Sequence, residues 1–364
     1  MSRTTTNTTP SILNTILRPD QIKAGLDEYV IGQEQAKTIL SVAAYNHYKR
    51  VKNDLLGQLD VELEKSNVIL LGETGCGKTH LVKTLARILD VPFHIQDCTK
   101  VTASGYVGSD VEECLVGLLR ACDYDVDRAQ YGIVMLDEGD KLAKKDESPS
   151  ITRDVSGECV QQSLLKIVEG DRVGVQPQGG RKHPLAECIQ VDTRNILFIF
   201  AGAFVGIDKI VERRLGQGMN RIGFAPQAEG PQSKGDLYAE VTPRDLVSFG
   251  LIPELVGRFP TITYVEPLDT KALEKILTEP KNALVRQYTA MLGMDGIELN
   301  FDRKALHNIA ERAIRSGTGA RALRGILDKV LLGIMYEAPL LASKGQKTIR
   351  ITEKTVDQAF RKSA

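Results

Sequence analysis

The sequence predicts an α/β fold with a parallel sheet, followed by a smaller and mostly helical second domain. Three continuously apolar runs are typical of strands buried on both faces, at residues 68–71, 133–136 and 196–200. After the first run, apolar residues between Leu81 and Leu89 recur at the spacing of one helix face. Strands that alternate with helices form a parallel sheet, which binds its ligands at the carboxyl ends of the strands.

The second domain is predicted from a change of pattern near Pro267. Beyond this point helical periodicity dominates and strand patterns are short. The helical segments are 271–291, 303–314 and 320–337, and the strand candidates are 297–301 and 348–351.

The length also favours two domains, because 364 residues exceed the roughly 250 at which single domains usually stop. We predict a flexible N-terminal segment at 1–18, a large domain at 19–267 and a small domain at 268–364. Two stretches, 144–157 and 216–235, give no regular pattern.

The charge balance excludes several function classes. The 47 basic and 47 acidic side chains cancel, so no global field attracts nucleic acid or an anionic membrane. No apolar run approaches the roughly 20 residues of a membrane helix. We therefore expect neither nucleic acid nor a membrane as a partner.

The six cysteines indicate a reducing compartment rather than a disulfide framework. They are scattered and none forms a C-x-x-C pair, so we predict no zinc and a cytoplasmic location. The Ser/Thr-rich start carries Arg3 and Arg18 before the first acidic residue, Asp20. This start leaves two interpretations open, a frayed terminus or a transit peptide to an organelle matrix.

A phosphate loop follows the first strand. The run Gly72-Glu73-Thr74-Gly75-Cys76-Gly77-Lys78-Thr79 matches the pattern G-x-x-x-x-G-K-S/T and opens a helix. Its glycines let backbone N–H groups turn inward around phosphate, and the helix N-terminus adds positive potential. We expect Lys78 to reach the β- and γ-phosphates of ATP and Thr79 to bind Mg²⁺. The alternative is a Gly-rich turn that binds nothing.

The second strand runs directly into Asp137 and Glu138. We predict that Asp137 holds Mg²⁺ through water and that Glu138 orients and activates the attacking water, because phosphoryl transfer depends on positioning and charge stabilisation. Taken alone, such a pair is also typical of a solvated turn. With the phosphate loop beside it, the pair favours ATP hydrolysis over phosphotransfer.

Several further segments occur together in an order that is specific to one family. They are Asp27-Glu28-Tyr29-Val30-Ile31-Gly32-Gln33-Glu34, the phosphate loop, Gly105-Tyr106-Val107-Gly108, residues 150–158, Gly179-Gly180-Arg181-Lys182-His183 and Gly317-Thr318-Gly319-Ala320-Arg321. From about Pro19 to the C-terminal helices the chain resembles the ClpX family of AAA+ unfoldases. The resemblance implies an AAA+ P-loop NTPase large domain and a homohexamer with ATP bound between the two domains of each subunit.

The resemblance also implies roles for single residues. Val30 and Ile31 would flank the adenine, Arg258 would reach into a neighbour's site as an arginine finger, and Arg321 would sense the γ-phosphate. A guanidinium suits both tasks because it stabilises the charge of the transferring phosphoryl oxygens. The alternative for each arginine is an ordinary surface salt bridge.

Four loops are expected to contact protein partners if the resemblance holds. Tyr106 and Val107 would grip unfolded or tagged protein chains in the pore, since Tyr offers a large rigid face. Arg153, Arg181, Lys182 and His183 would line the channel entrance. Ile222-Gly223-Phe224 would dock into a ClpP-type peptidase as a hydrophobic anchor.

Three of these loops have an alternative interpretation. A Tyr-Val pair between glycines is also typical of a hairpin turn packed on a core. For the docking segment, the alternative is that Ile222 and Phe224 tuck back onto their own domain. Three adjacent basic residues also suit a phosphate or nucleic-acid contact.

The sequence departs from the family pattern at four places. The residues before Pro19 contain no cysteine, so we expect no zinc-binding N-terminal domain of the family's kind, which puts adaptor binding in doubt. Gly139 stands where the family typically has isoleucine, and we expect it to loosen the segment next to Glu138. The third strand ends in Ala201-Gly202, with no Asn or Thr to orient water. Cys76 is either an oxidation-sensitive thiol or an inert small filler.

These observations support one main hypothesis and two alternatives. The main hypothesis is an ATP-dependent unfoldase that translocates protein substrates through a hexamer pore into the ClpP peptidase. A stand-alone chaperone or remodeller that engages no peptidase is the alternative. A nucleic-acid motor is disfavoured by the neutral charge and by the lack of an aromatic and basic stripe.

Overall fold

A five-stranded parallel sheet organises the first part of the chain in the computed structural model, which describes residues 15–57, 60–101, 110–144, 157–176, 188–219 and 234–361. The strand order is β2-β3-β6-β1-β7, with every neighbouring pair parallel. The strands are β1 (Val68–Leu71), β2 (Phe93–Asp97), β3 (Ile133–Asp137), β6 (Leu197–Gly202) and β7 (Thr261–Tyr264). The central strands β1, β3 and β6 are almost wholly buried, which explains their continuous apolar runs.

The remaining elements of this part cover the sheet or extend from it. An antiparallel pair is formed by β4 (Arg172–Val175) and β5 (Ile189–Asp192). The helices are α1 (Pro19–Asp27), α2 (Glu34–Leu56), α3 (Lys78–Ile88), α4 (Glu113–Arg120), α5 (Val126–Ala129), α6 (Glu158–Glu169), α7 (Ile207–Met219), α8 (Lys234–Ala239), α9 (Pro243–Phe249) and α10 (Pro253–Gly257). Short 3-10 helices span Cys98–Lys100 and Gly139–Leu142.

The last part of the chain is mostly helical around a two-stranded parallel sheet. The helices are α11 (Thr270–Thr278), α12 (Leu284–Met294), α13 (Arg303–Arg315), α14 (Ala320–Ser343) and α15 (Glu353–Arg361), and the strands are β8 (Glu298–Phe301) and β9 (Thr348–Ile351). Their own buried core includes Leu273, Ile309 and Leu327. This core is separate from the one built on the large sheet.

Contacts group the chain into two units whose borders cross the sequence several times. The first unit contains Glu34–Glu73 and Lys78–Val265. The second contains Ala24–Gln33, Thr74–Gly77 and Glu266–Ala364. Two early segments therefore belong to the C-terminal unit. The boundaries predicted from the sequence, at 18 and 267, stay predictions.

The early segments of the second unit are held by hydrogen bonds to distant residues. The Gln33 side chain donates to Glu266 O at 3.0 Å and accepts from Glu266 N at 2.6 Å. Glu28 accepts the backbone N–H of Lys281 on its carbonyl and the Lys281 ammonium on its carboxylate. These contacts fix residues 24–33 against the chain that follows β7.

At the amino end of β6, three consecutive carbonyls are occupied by basic side chains. Lys65 Nζ donates to Thr193 O at 2.9 Å and to Val168 O at 3.0 Å. Arg50 Nη2 donates to Arg194 O at 2.8 Å, and His47 Nε2 lies 2.9 Å from Asn195 O. We call residues Thr193, Arg194 and Asn195 the β6 entry turn. Its main chain is fixed before the strand begins.

The structure corrects three of the predicted elements. The single helix expected at 271–291 is two helices, because Pro280 lacks an N–H and disfavours helical backbone before it. The helix expected at 320–337 continues to Ser343 through Pro339. The irregular stretch expected at 216–235 begins inside α7 and ends inside α8, while 220–233 lie outside the described residues.

The described residues contain no helix that combines the length and the apolar character needed to cross a membrane.

Candidate nucleotide-binding site

The phosphate loop leaves β1 at a position that only glycine can occupy. Gly72 has φ of 146°, and a Cβ there would lie 2.2 Å from Val265 Cγ2. Val265 N also donates to Leu71 O at 2.8 Å, so β7 and the loop are packed directly together. The loop therefore begins in a backbone conformation and a space that exclude any side chain.

Lys78 is the first residue of α3 and is buried, with 8% of its surface exposed. Its ammonium donates to Gly72 O at 2.5 Å and to Glu73 O at 3.0 Å. The charge is thus held over the loop, next to the N–H groups that open the helix. A cation and a helix N-terminus in one place form a site suited to anionic phosphate.

Thr79 and Asp137 bring together oxygen ligands from two elements. Thr79 Oγ1 donates to Asp137 Oδ2 at 3.2 Å, which joins the start of α3 to the end of β3. Asp137 Oδ1 accepts the N–H of Glu138 at 3.0 Å. A hydroxyl and a carboxylate side by side are the hard oxygen donors that Mg²⁺ prefers.

Glu138 follows β3 in a strained conformation. Its φ of 56° and ψ of 31° are left-handed, which a residue other than glycine rarely adopts, and its side chain is exposed. Lys141 N donates to Glu138 O at 3.0 Å and closes the following 3-10 turn. Such conformations cost about 1–3 kcal/mol each and cluster at functional sites.

Gly139 is fixed rather than loosened, which corrects the expectation drawn from its lack of a side chain. It is buried, and a Cβ there would lie 2.4 Å from Phe200 Cζ. At the end of β6, Gly202 is equally confined, because a Cβ would lie 2.6 Å from Asp140 Oδ1. Asp140, 7% exposed, accepts the N–H of Ala203 at 3.1 Å.

The central part of the phosphate loop belongs to the second unit. Gly75 has φ of 84°, and a Cβ there would lie 2.1 Å from Thr318 O. Gly75 O accepts the N–H of Ala320 at 3.2 Å. Arg321, the next residue, lies exposed in the first turn of α14. The turn between Gly317 and Arg321 is therefore in direct backbone contact with the loop.

Three other predicted site residues have small or apolar side chains that are buried or half-buried. Val30 is buried and Ile31 is half-buried, directly after α1 and within the second unit. Cys76 is buried, with 7% of its surface exposed. No charged partner was predicted for any of them.

Arg258 follows α10 and is exposed, but it has a partner within the chain. Its Nη2 lies 2.7 Å from Glu169 Oε1, and its Nε donates to the same oxygen at 2.9 Å. Its carbonyl accepts from Asn67 Nδ2 at 3.0 Å. The backbone is thereby fixed, while the side chain stays at the surface.

The predicted partner-binding loops lie outside the described residues. These are the pore residues Tyr106 and Val107, the channel residues Arg153, Arg181, Lys182 and His183, and the docking segment Ile222-Gly223-Phe224.

Known proteins are similar to this chain over most of its length. Residues 63–262 match the model of the AAA domain (Cdc48 subfamily), and residues 268–351 match that of the C-terminal, D2-small domain, of ClpB protein. The chain is 51% identical over 346 residues to the ATP-dependent Clp protease ATP-binding subunit ClpX of Treponema denticola. That alignment covers 94% of this chain and 82% of the relative.

The chain belongs to the ClpX family. This membership confirms the predicted AAA+ fold class, with its parallel central sheet and helical C-terminal region. It also confirms the predicted enzyme class, an AAA+ ATPase of the Clp unfoldases that uses ATP and Mg²⁺.

Sequence reasoning missed two residues that support the site of this ClpX-family ATPase. Phe200 and Asp140 contact the turn after β3 and the end of β6 without belonging to a nucleotide-binding pattern. Asp140 had a local signal, since it follows Asp137 and Glu138 closely in sequence. Phe200 contacts Gly139, which is far away along the chain, so no local pattern indicates it. Thr318 lies in a segment that carries the family resemblance, but its contact with Gly75 was not expected.

Proposed function

We propose that this chain unfolds protein substrates and translocates them through the pore of a homohexamer into a ClpP-type peptidase, using ATP hydrolysis at the phosphate loop. The observation that carries the proposal is the juxtaposition of Lys78, Thr79, Asp137 and Glu138 at the carboxyl ends of β1 and β3. Family membership supports the coupling of this chemistry to protein unfolding.

Within the site, each side chain has a task that suits its surroundings. Lys78 supplies the positive charge for the β- and γ-phosphates, since its ammonium is already held over the loop by the carbonyl oxygens of Gly72 and Glu73. Thr79 and Asp137 would hold Mg²⁺, Asp137 through water. The bound ion neutralises charge that develops on the phosphate oxygens.

Glu138 orients and activates the attacking water. Its exposed carboxylate follows Asp137 directly after the end of β3, and its backbone is left-handed. A positioned base of this kind contributes about 10²–10⁴-fold to a rate.

Val30 and Ile31 provide apolar surface for the adenine. Arg321 senses the γ-phosphate, and its support is that Ala320, the residue before it, is hydrogen-bonded to the phosphate loop. Arg258 acts in a neighbouring subunit's site. Because its guanidinium is exposed and pairs only across the surface with Glu169, exchange of that partner costs about 0–1 kcal/mol.

The protein-handling loops rest on the family resemblance. Tyr106 and Val107 grip the translocated chain, with Arg153, Arg181, Lys182 and His183 around the channel entrance. Ile222-Gly223-Phe224 anchors the peptidase. We place the protein in the cytoplasm.

The chemistry is tested with Glu138→Gln, which should bind ATP with near-normal affinity and hydrolyse it about 100-fold or more slowly. Steady-state ATPase assays and equilibrium binding of a fluorescent ATP analogue measure the two quantities. Near-normal turnover would place the water-activating carboxylate elsewhere.

The threading step is tested with Tyr106→Ala, which should keep ATPase activity and lose unfolding of a tagged folded protein. Val107→Ile serves as the control because it keeps an apolar β-branched side chain in the same loop. If Tyr106→Ala still unfolds the tagged protein, the pore assignment is wrong.

A second candidate, a remodeller that engages no peptidase, is separated by capture of ClpP. Wild-type protein should retain the peptidase in the presence of ATP, and Phe224→Ala should not. Equal capture by both, or no capture by either, would favour the remodeller.

A further inference from the structure

The residue after the proposed catalytic glutamate is confined by one aromatic ring. Gly139 is buried, and its φ is not left-handed, so its backbone conformation does not require glycine. What requires glycine is space. A Cβ at this position would lie 2.4, 2.6 and 2.7 Å from Cζ, Cε1 and Cε2 of Phe200. Real Cβ atoms essentially never approach neighbours within 3.0 Å, so the ring and a side chain at 139 exclude each other.

The ring of Phe200 cannot move aside easily. It is 1% exposed, and its centroid lies 5.5 Å from that of Phe259 and 6.4 Å from that of Phe204. Phe200 also sits in the middle of the sheet, opposite Leu136 on β3 and Ile69 on β1. A ring packed on several sides transmits strain instead of absorbing it.

The turn that presents Glu138 is fixed on both sides of this contact. Before Gly139, the left-handed Glu138 closes a hydrogen bond through its carbonyl to Lys141 N. After it, the Asp140 carboxylate accepts the N–H of Ala203 beyond the end of β6. Between these bonds, the Phe200 ring is the surface on which Gly139 rests. A left-handed glutamate persists only where its surroundings over-determine it.

We propose that Phe200 is a positioning residue for Glu138, and that Phe200 and Gly139 act as a matched large and small pair. The ring fixes the position of the turn, and the turn in this position places the Glu138 carboxylate for water activation. The proposal rests on the catalytic role of Glu138 proposed above. It assigns to a buried aromatic residue an effect on the turnover number and none on the binding of ATP.

The first test is Phe200→Leu, with Phe198→Leu as the matched control. Both residues lie on the same face of β6, both are buried, and both lose the same atoms. Phe198, however, lies under Lys65, with Nζ 4.8 Å from the ring centroid, at the opposite end of the strand from Glu138. We expect Phe200→Leu to lower kcat about tenfold or more with an unchanged Kd for ATP, since small misplacement of a catalytic group costs up to about 10²-fold. Phe198→Leu should keep kcat within about twofold at a similar loss of melting temperature.

The second test is the exchange of both partners. Gly139→Ala alone should lower kcat, because its methyl group meets the outer ring atoms of Phe200. Leucine lacks those outer atoms, so Gly139→Ala combined with Phe200→Leu should recover most of the turnover. Because the two residues are in contact, their losses of stability need not add, so kcat is compared at a temperature where all three variants are folded and the melting temperature of each is measured. Recovery of kcat without a matching recovery of melting temperature is the readout that a general loss of stability does not produce.

Two results would overturn the proposal. One is a kcat for Phe200→Leu that falls no more than that of Phe198→Leu. The other is a double variant whose loss equals the product of the two single losses. If Glu138→Gln hydrolyses ATP normally, the proposed function fails first. If Glu138→Gln is inactive and Phe200→Leu is normal, the positioning role alone fails.

Discussion

The two ends of the large sheet are built in opposite ways. At the amino end of β6, Lys65, Arg50 and His47 each occupy one carbonyl of the entry turn, and all three side chains are largely buried. At the carboxyl ends of β1 and β3, glycines and the left-handed Glu138 carry the chain, and polar side chains reach the surface. We call the amino end the closed end, because its polar groups are paired with one another. We call the carboxyl end the open end, because its charged groups are available to a ligand.

The difference also changes the ionisation of the closed end. Burial and, second to it, the nearby charge of Arg50 together lower the pKa of Lys65 to about 7, while Asp192 opposes the shift. Burial, with Arg50 and Lys65, lowers the pKa of His47 to about 3. His47 is therefore neutral and donates from Nε2 to Asn195 O. The closed end uses charge for structure, whereas the open end holds it for a ligand.

The largest expected effect tests the open end. Lys78→Met should lower ATP hydrolysis about 100-fold or more, because removal of one preorganised donor that stabilises charge in a transition state costs about 10²–10³-fold. The melting temperature should change little, since the hydrogen bonds of the ammonium to Gly72 O and Glu73 O lie within the loop and join no separate elements of the core. ATPase assays and calorimetry measure the two quantities. If Lys78→Met instead lowers the melting temperature strongly and keeps the specific ATPase activity, Lys78 has a structural role. The two ends of the sheet would then not differ in the way described.

The second prediction tests the closed end. Arg50→Met leaves the Arg194 carbonyl without its charged donor, so the free energy of unfolding should fall by about 1.5–3 kcal/mol. The ATPase kcat should stay within about twofold at a temperature where the variant is folded. Urea unfolding measures the stability. As a control, Arg315→Ala removes an exposed pair with Glu311 and should change stability by at most about 0.5 kcal/mol.

The third prediction concerns pH at the closed end. Lys65 has a native pKa near 7 and an unfolded pKa near 10.4, so the unfolded chain binds more protons between these values. Its contribution therefore makes stability rise with pH, by up to about 1.4 kcal/mol per pH unit, between about pH 7 and 10. Urea unfolding of wild type and Lys65→Met across this range isolates the effect as a difference in slope. If the stability of wild type and of Lys65→Met changes with pH at the same slope, Lys65 stays charged in the folded state.

The smallest expected effect concerns a buried hydroxyl that lies between the two ends of the sheet. Thr263 on β7 is 1% exposed, and its Oγ1 has no partner within the described ranges. Thr263→Val keeps the shape and removes a buried hydroxyl, so it should be neutral or stabilising by up to about 1 kcal/mol. Thermal unfolding checks this. Destabilisation by more than about 1 kcal/mol would reveal a hydrogen bond of the Thr263 hydroxyl on this edge strand.

The open end was largely predictable from sequence, and the closed end was not. Phosphate binding needs a run of neighbouring residues, so Gly72 to Thr79 and the strand before Asp137 carry local patterns. The central strands were predictable for the same reason, since burial on both faces makes them apolar throughout. The edge strands β2 and β7 were missed because they are only partly buried and contain polar residues.

Contacts between distant residues explain the other failures. Nothing near Lys65 or Arg50 in sequence indicates that their partners lie more than a hundred residues away. Likewise, Gly139 suggested flexibility until Phe200 was found to occupy the missing side chain's place. The roles of the site residues, and of the loops outside the described ranges, stay predictions.

The order in which the chain is synthesised gives the long-range bonds of the second unit a further meaning. Gln33 and Glu28 find partners 233 and 253 residues later, and Gly75 is bonded to Ala320. A chain still emerging from the ribosome can pair the strands of the large sheet before these partners exist. The segments expected to hold the nucleotide are thus completed last, so a chain released early would have a folded sheet and an unfinished phosphate loop.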